Sequence, residues 1–423
     1  MSRAGKRQFK APITQPAKPA PAAVVNRRAA DRLRGGHPWV YASDVIEVTS
    51  GEHAPAASIP VHLVMVTDQR GVPLGTALYS PQSQIALRLI SREVLEQDRD
   101  WLALLETRLR RAIALRSEMN TEACRLVFSE ADELPGLIID RYGSLVLVQI
   151  LVRGLDRPEA RELLIRVLVG EITPETIVER GDARIAALEG LQTPALATLY
   201  AQDMAHPVLQ TTFEINGLRF AYDAASGQKT GGFLDQRLNY AAAAEHARGE
   251  ALDVCTYQGG FALHMAQRCT RVTGVDASRS ALEIAERNLE ANRAKISAEV
   301  DWIEADAFAL LRDWSDAGTQ YDTIVLDPPA FAKSKRAVEG ALRGYKELNL
   351  RALKMLRPGG FLITCSCSHH ISGADFTATV ASAAADAGRR VRLLERRGAA
   401  PDHPVILTIP ETEYLKCLIC TVD

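Results

Sequence analysis

The sequence predicts an α/β protein in which a mostly parallel, doubly wound sheet is preceded by a β-rich unit and a small α+β middle domain. From about residue 250, short apolar runs alternate with helical patterns, the rhythm of a parallel sheet covered by helices on both faces. Before about residue 95 the apolar runs are short and are punctuated by Gly and Pro, as in a β-rich unit. A chain of 423 residues also exceeds what one compact core accommodates, so two or three domains are expected.

Apolar residues make up 47% and charged residues 24%, a balance that excludes membrane and disordered classes for the bulk of the chain. The formal net charge is only -2, so any grip on nucleic acid must come from a local basic surface. No apolar stretch reaches the roughly 20 residues needed to span a bilayer, and no membrane partner is expected. Seven cysteines, an odd number without disulfide-framework spacing, together with no recognisable secretory signal, point to a reducing cytoplasm. Cys417 and Cys420 have C-x-x-C spacing, but they lie in the apolar run Tyr414-Leu-Lys-Cys-Leu-Ile-Cys-Thr-Val422. That run reads as a closing strand, and no second Cys or His pair accompanies it, so no metal site is expected.

Residues 1–25 contain Arg3, Lys6, Arg7, Lys10 and Lys18, no acidic residue and a Pro/Ala-rich run, which reads as a disordered basic arm. Its role is either a weak tether to phosphates or that of a solvated tail. Residues 26–95 form the β-rich unit, with turn chemistry at Gly35-Gly-His-Pro-Trp39 and strand-like runs at 61–66 and 85–90. His37, set between Gly and Pro, reads as a packing or hydrogen-bonding residue. Residues 96–205 form the middle domain: a helix over about 96–119, strands near 137–139 and 145–151, a helix at about 157–169 and a strand at 175–180. Nothing in it has catalytic spacing.

Residues 206–423 carry the doubly wound sheet, where ligands bind beyond the carboxyl ends of the strands. The first strand runs into Asp253-Val-Cys-Thr-Tyr-Gln-Gly-Gly-Phe261, and Gly259 and Gly260 let the backbone turn tightly against a ligand while Asp253 and Tyr257 flank it. The second ends at Asp276, placed to accept from both hydroxyls of a ribose, with capping-box spacing at Ser280-Ala-Leu-Glu283. The third leads to Asp306-Ala-Phe308, suited to an adenine amino group and its ring. The fourth ends in Asp327-Pro-Pro-Ala-Phe331, where Pro328 and Pro329 stiffen a loop that offers Asp327 to the polar edge of a base and Phe331 to its face. Asp276 and Asp306 each have a competing reading as helix caps. Four strand tips agreeing in order point to a nucleoside-bearing cofactor. The turn is not G-x-G-x-x-G, so the pattern resembles class I methyltransferases more than NAD enzymes.

The fifth strand, which follows a helix ending near Arg357-Pro-Gly-Gly360, carries Thr364-Cys-Ser-Cys-Ser368 at its carboxyl end. A thiolate there can add to C6 of a pyrimidine and make C5 nucleophilic enough to take a methyl group. Cys367, just past the strand, is better placed for this than Cys365, which reads as a packing residue; small buried side chains are the competing reading for both. Lys333, Lys335 and Arg336, with Arg343 and Lys346, form a basic stretch where phosphates flanking a flipped base would lie, or else a solvated face.

With these residues in place, the chain resembles the bacterial 23S rRNA cytosine-5 methyltransferase family that carries an N-terminal PUA domain. The resemblance rests on Gly36-His-Pro-Trp-Val40, Gly75-Thr-Ala-Leu-Tyr-Ser-Pro81, Glu130-Ala-Asp-Glu-Leu-Pro-Gly-Leu137, Asp140-Arg-Tyr-Gly143, Gly227-Gln-Lys-Thr-Gly-Gly-Phe-Leu-Asp-Gln-Arg237, Asp327-Pro-Pro-Ala-Phe331 and Ser366-Cys-Ser368. It implies a Rossmann-like class I methyltransferase domain behind a PUA-like RNA-binding domain, S-adenosylmethionine as cofactor and 23S rRNA as substrate. It further implies that Phe233, Asp235 and Arg237 help form the cofactor and substrate pocket, that Cys367 is the nucleophile and that Asp327 holds the cytosine edge. Gln258, Gly232 and Ser368-His-His370 depart from the family pattern. Two alternatives stay open: methylation of a purine nitrogen such as guanine N7 or N2, which needs no cysteine, and a non-catalytic RNA-binding factor. The target nucleotide, a homodimer or monomer, and the base that removes the C5 proton are left open by the sequence.

Overall fold

The computed structural model describes residues 21–49, 63–95, 97–119, 121–192, 194–225, 232–332 and 334–423. Its contacts divide the chain between Trp101 and Leu102 into two compact units.

The first unit contains β1 (Ala22–Val25), α1 (Arg27–Arg34), β2 (Trp39–Val40), β3 (Val45–Thr49), β4 (Leu63–Asp68), β5 (Pro73–Tyr79) and β6 (Leu87–Ser91). These strands make one six-stranded sheet in the order β2-β6-β5-β4-β1-β3. Residues 22–25, assigned from sequence to the basic arm, are instead a strand between β3 and β4. Alternation explains the difference: Ala23 and Val25 are fully buried, and Asn26 then caps α1 by accepting the Ala29 N–H at 2.9 Å. The rest of the expected arm, residues 1–20, lies outside the described residues. His37 packs edge-on against Trp39, with ring centroids 5.3 Å apart, and accepts the Trp39 N–H, the packing role read from its turn.

After α2 (Asp98–Ser117), the second unit opens with β7 (Ala123–Phe128), β8 (Leu137–Tyr142), β9 (Leu145–Ile150), α3 (Pro158–Ile172), β10 (Thr176–Arg180), α4 (Ala183–Glu189) and β11 (Leu196–Ala201). They form a five-stranded sheet in the order β11-β10-β9-β8-β7. A hairpin of β12 (Gln210–Ile215) and β13 (Leu218–Asp223) follows.

The doubly wound part runs α5 (Arg237–His246), β14 (Glu250–Val254), α6 (Gly260–Met265), β15 (Arg271–Asp276), α7 (Arg279–Ala291), β16 (Glu299–Glu304), α8 (Ala307–Asp316), β17 (Tyr321–Leu326), α9 (Val338–Met355), β18 (Leu356–Ser366), α10 (Gly373–Asp386), β19 (Val391–Arg397) and β20 (Lys416–Val422). The sheet order is β16-β15-β14-β17-β18-β20-β19, parallel from β16 to β18, with β20 inserted antiparallel between β18 and β19. Strand order reverses between β14 and β17, and a crevice opens at such a point. Arg357-Pro-Gly-Gly360 opens β18 rather than ending a helix, because α9 stops at Met355.

Middle and doubly wound parts are one compact unit, Leu102–Asp423, although the sequence places a boundary at 205/206. Their cores are continuous: Tyr142, Leu145 and Phe213 pack in the same cluster as Leu263, Met265 and Ile363. Asp402 adds a polar tie, pairing with Arg237 at 2.5 Å, accepting the Arg125 N–H at 2.8 Å and offering its carbonyl to Arg116 at 3.0 Å.

Candidate active site

Asp253, near the end of β14, is fully buried, and its Oδ2 accepts from Thr256 Oγ1 at 2.6 Å and from the Ala262 N–H at 2.9 Å. The carboxylate thus ties the strand to the first turn of α6 and shapes the loop between them. Among the described residues its Oδ1 has no partner, and burial pushes the group up to about 7. In that loop Cys255 and Tyr257 adopt positive φ (65° and 52°), a backbone strain that clusters at ligand sites. At Gly260 a Cβ would stand 2.5 Å from the Tyr240 ring. Gly260→Ala is therefore expected to lower unfolding free energy by about 1–3 kcal/mol and weaken cofactor binding as Tyr240 is displaced. Denaturant unfolding and calorimetry check this; unchanged values in both would show the cradle to be looser than drawn.

Asp276, at the tip of β15, accepts the Tyr257 N–H on Oδ2 and the Ser278 N–H on Oδ1, both at 2.9 Å. These bonds fix its orientation and leave lone pairs for a ligand's hydroxyls. The cap of α7 is Ser278, accepting from Ala281, and not the expected Ser280, because the helix starts at Arg279. Asp306 is exposed and caps α8 through the Ala309 N–H at 2.9 Å, so the competing cap role is present there.

Asp327 leaves β17 with its N–H donated to the Val254 carbonyl at 3.2 Å. Burial, then the Asp235 and Asp253 charges, push its carboxyl up to about 8, opposed by a hydrogen bond from Gln236. Gln236 Oε1 accepts from Asn239 Nδ2 at 2.6 Å, and Asn239 Oδ1 accepts from Arg397 Nε at 3.0 Å. That relay leaves the Gln236 amide nitrogen to face Asp327. Asp235 is held by Tyr414, whose hydroxyl donates to Oδ2 at 2.6 Å. Phe233 is 42% exposed and meets Tyr257 edge-on at 5.2 Å. Phe233, Tyr257, Gly260 and Asp327 line one cavity with Tyr240 and Cys255.

Cys367 follows β18 directly, partly exposed, with Sγ 3.9 Å from the Pro328 carbonyl oxygen. Burial, then the Asp327 and Asp235 charges, push its thiol up to about 12, and Lys416 opposes them. Cys365 is fully buried within β18 opposite Cys417 of β20, a packing position. Cys417 and Cys420 are both buried in that strand, as their apolar run suggests.

Other expected residues sit differently. The Arg237 guanidinium turns to Asp402 and lines a separate cleft of about 950 Å³ with Met119 and Asn216, not the cavity at the glycine turn. Phe331 is held between Phe308 and Tyr345, at 5.8 and 4.8 Å, as a partly exposed member of an aromatic cluster, and Pro328 is buried. Lys335 and Arg336 are exposed on a 3-10 turn at 335–337, whereas Arg343 pairs with Glu339 and Lys346 with Asp386. Lys333 and residues 227–231 of the Gly227–Arg237 stretch lie outside the described residues. Sequence reading missed Gln236, Asn239, Tyr414 and Lys416; the one signal was Lys416 itself, a lone charge in an apolar strand. Among the described residues no cluster of His, Cys, Asp and Glu could hold a metal, and no helix is long and apolar enough to cross a membrane.

A PUA-like domain family matches residues 23–92, and the S-adenosylmethionine-dependent methyltransferase family matches residues 137–418. The ribosomal RNA large subunit methyltransferase I of Pseudoalteromonas translucida is 37% identical over 399 residues, 92% of this chain and 96% of that protein. Its counterpart in Shewanella denitrificans is 38% identical over 397 residues, again 92% and 96%. The chain belongs to the ribosomal RNA large subunit methyltransferase I family. Among solved structures, a protein of Streptococcus mutans described as a SAM-dependent methyltransferase superimposes with a TM-score of 0.76 at 19% identity, over 94% of this chain and 99% of that one. That likeness concerns the fold, and it spans both units of this methyltransferase. Its Rossmann-like domain, its PUA-like domain and its dependence on S-adenosylmethionine thus agree with the reading from sequence. The Asp253 Oδ1 that has no partner among the described residues and the oriented Asp276 carboxylate suit the amino group and ribose of that cofactor.

Proposed function

We propose that the protein methylates C5 of a cytosine in large-subunit ribosomal RNA through a covalent adduct with Cys367. The observation that carries this reading is that Cys367 and Asp327, beyond the carboxyl ends of neighbouring strands β18 and β17, lie close enough for the Asp327 charge to act on the thiol, with Cys367 touching the Pro328 carbonyl. Relatives over 92% of the chain bear the name of a large-subunit ribosomal RNA methyltransferase, which supports the RNA substrate. All seven cysteines are free, in keeping with a cytoplasmic enzyme.

Asp253, Tyr257, Gly259, Gly260, Asp276 and Asp306 would hold S-adenosylmethionine, with Phe233 and Asp235 at the side where the base enters. The cofactor supplies a methyl group on a sulfonium sulfur, which C5 takes once it has become electron-rich. Cys367 creates that electron density: its thiolate adds to C6 while Asp327, neutral at pH 7, passes its proton to N3. After methylation the C5 proton passes to solvent, its bonding electrons re-form the C5–C6 double bond as the S–C6 bond breaks and returns the thiolate, and the N3 proton returns to Asp327. Lys335 and Arg336 are exposed beside the loop that carries Asp327, where they would meet phosphates flanking a flipped base, and the PUA-like unit would grip folded RNA elsewhere.

The test is the identity of the product. Unmodified 23S rRNA incubated with methyl-labelled cofactor is expected to yield label in 5-methylcytidine, and RNA containing 5-fluorocytosine is expected to trap the protein covalently. Label in a methylated guanosine without trapping would replace this reading by direct methylation of a purine nitrogen.

A further inference from the structure

Covalent chemistry requires a thiolate, yet most of what faces Cys367 opposes one. Asp327 approaches from the loop after β17 and Asp235 from the turn before α5, both raising the thiol. The Tyr345 phenol of α9 lies near enough to feel the same sulfur, and His369 follows on the Cys367 loop. The cation facing it is Lys416, at the start of β20, with Glu413 nearby.

Lys416 is buried at 8% exposure, a costly place for an ammonium in an otherwise apolar strand. Its Cα pairs in register with Ser366, and Nζ donates to the Ser368 and Tyr414 carbonyls, each at 2.7 Å. The side chain therefore passes beside Cys367 and ends at the carbonyl of the next residue, with one of its three N–H bonds uncommitted to those carbonyls. A buried cation held by two carbonyls, with Glu413 nearby and set against a thiol crowded by carboxylates, favours the thiolate. We propose that Lys416 is the positioning residue whose charge sustains Cys367 as a thiolate for attack on the base. Burial holds the lysine down to about 8, and the Cys367 charge pulls it back up, so the two groups are coupled. The inference rests on the covalent reading above and names the cation that opposes the carboxylates at the thiol.

The experiment follows alkylation of Cys367 by iodoacetamide, read by mass spectrometry of its peptide across neutral to alkaline pH. Wild type is compared with Lys416→Met, Lys416→Gln and Lys416→Arg. Loss of the charge is expected to move the alkylation midpoint up by about one pH unit or more in Met and Gln, while Arg stays near wild type. Trapping by 5-fluorocytosine RNA is expected to slow about tenfold in the same two variants. Gln retains a donor for the carbonyls, so it separates charge from packing should Met fold poorly. An unmoved midpoint in folded Gln protein overturns the proposal while leaving trapping by wild type intact. Wild type that traps no 5-fluorocytosine RNA overturns the covalent reading itself, and with it the role of Lys416.

Discussion

Cys367→Ala is expected to abolish methyl transfer to RNA, by about 10⁴-fold or more, while S-adenosylmethionine binds as before. The side chain lies past the end of β18, and its hydrogen bond among the described residues is a long sulfur contact to the Pro328 carbonyl, so its removal leaves the strand and the cofactor cradle in place. It is also small and partly exposed, which keeps the cavity cost low. The two parts of the expectation separate nucleophile from packing residue. Calorimetry with the cofactor reports the fold of the site, and denaturing gels with 5-fluorocytosine RNA report the adduct. Turnover in the alanine variant would remove Cys367 from the chemistry and favour a purine nitrogen, whose lone pair attacks unaided.

Asp327→Asn is expected to lower kcat by about 10²- to 10⁴-fold, the range for a lost general acid. Its pH signature is more telling than the loss. Burial and the Asp235 and Asp253 charges lift the group from 3.8 to about 8, so the proton needed at N3 is present at neutral pH and is lost above about 8. Cys367 attack gains as pH rises, so wild-type activity is expected to climb to about pH 8 and then level off, as loss of the Asp327 proton offsets the gain in thiolate, whereas the asparagine variant keeps climbing. Stability follows the same sign. A carboxyl whose folded value is raised favours the fold below its unfolded value and withdraws that support as pH climbs through the folded one. The asparagine variant should therefore gain stability over wild type progressively between about 4 and about 8. Denaturant midpoints across that range check it, and parallel curves would mean that Asp327 ionises normally.

Much of the scaffold was legible because its signals are local. Alternating runs gave the parallel strands, and the glycines at 259–260 and the prolines at 328–329 marked the tips where backbone must bend or stiffen. Cap position was a near miss: Ser278 and Ser280 are chemically equal candidates, and only the start of α7 at Arg279 decides between them. Illegible parts depend on distant register. Gln236 faces Asp327 because Asn239 and Arg397 orient it, the latter 158 positions away in sequence from Asn239. Lys416 reaches Ser368 only because β20 inserts antiparallel beside β18, a pairing that no periodicity announces. The shared core across the expected boundary at 205/206 was illegible for a related reason, since Tyr142, Phe213 and Leu263 pack together while each looks apolar on its own.

The insertion of β20 also sets a timetable for the ribosome. This strand follows all of its sheet neighbours in the chain, yet it lies between β18 and β19. Until residues 416–422 have emerged, β18 offers a bare edge and β19 has no neighbour to join. Tyr414 and Lys416 arrive with the same segment, so a nascent chain that has already built its cofactor cradle still lacks part of its chemistry. Messages truncated shortly before this strand would release inactive, sticky polypeptides, fit for chaperones or proteases rather than for a ribosomal particle.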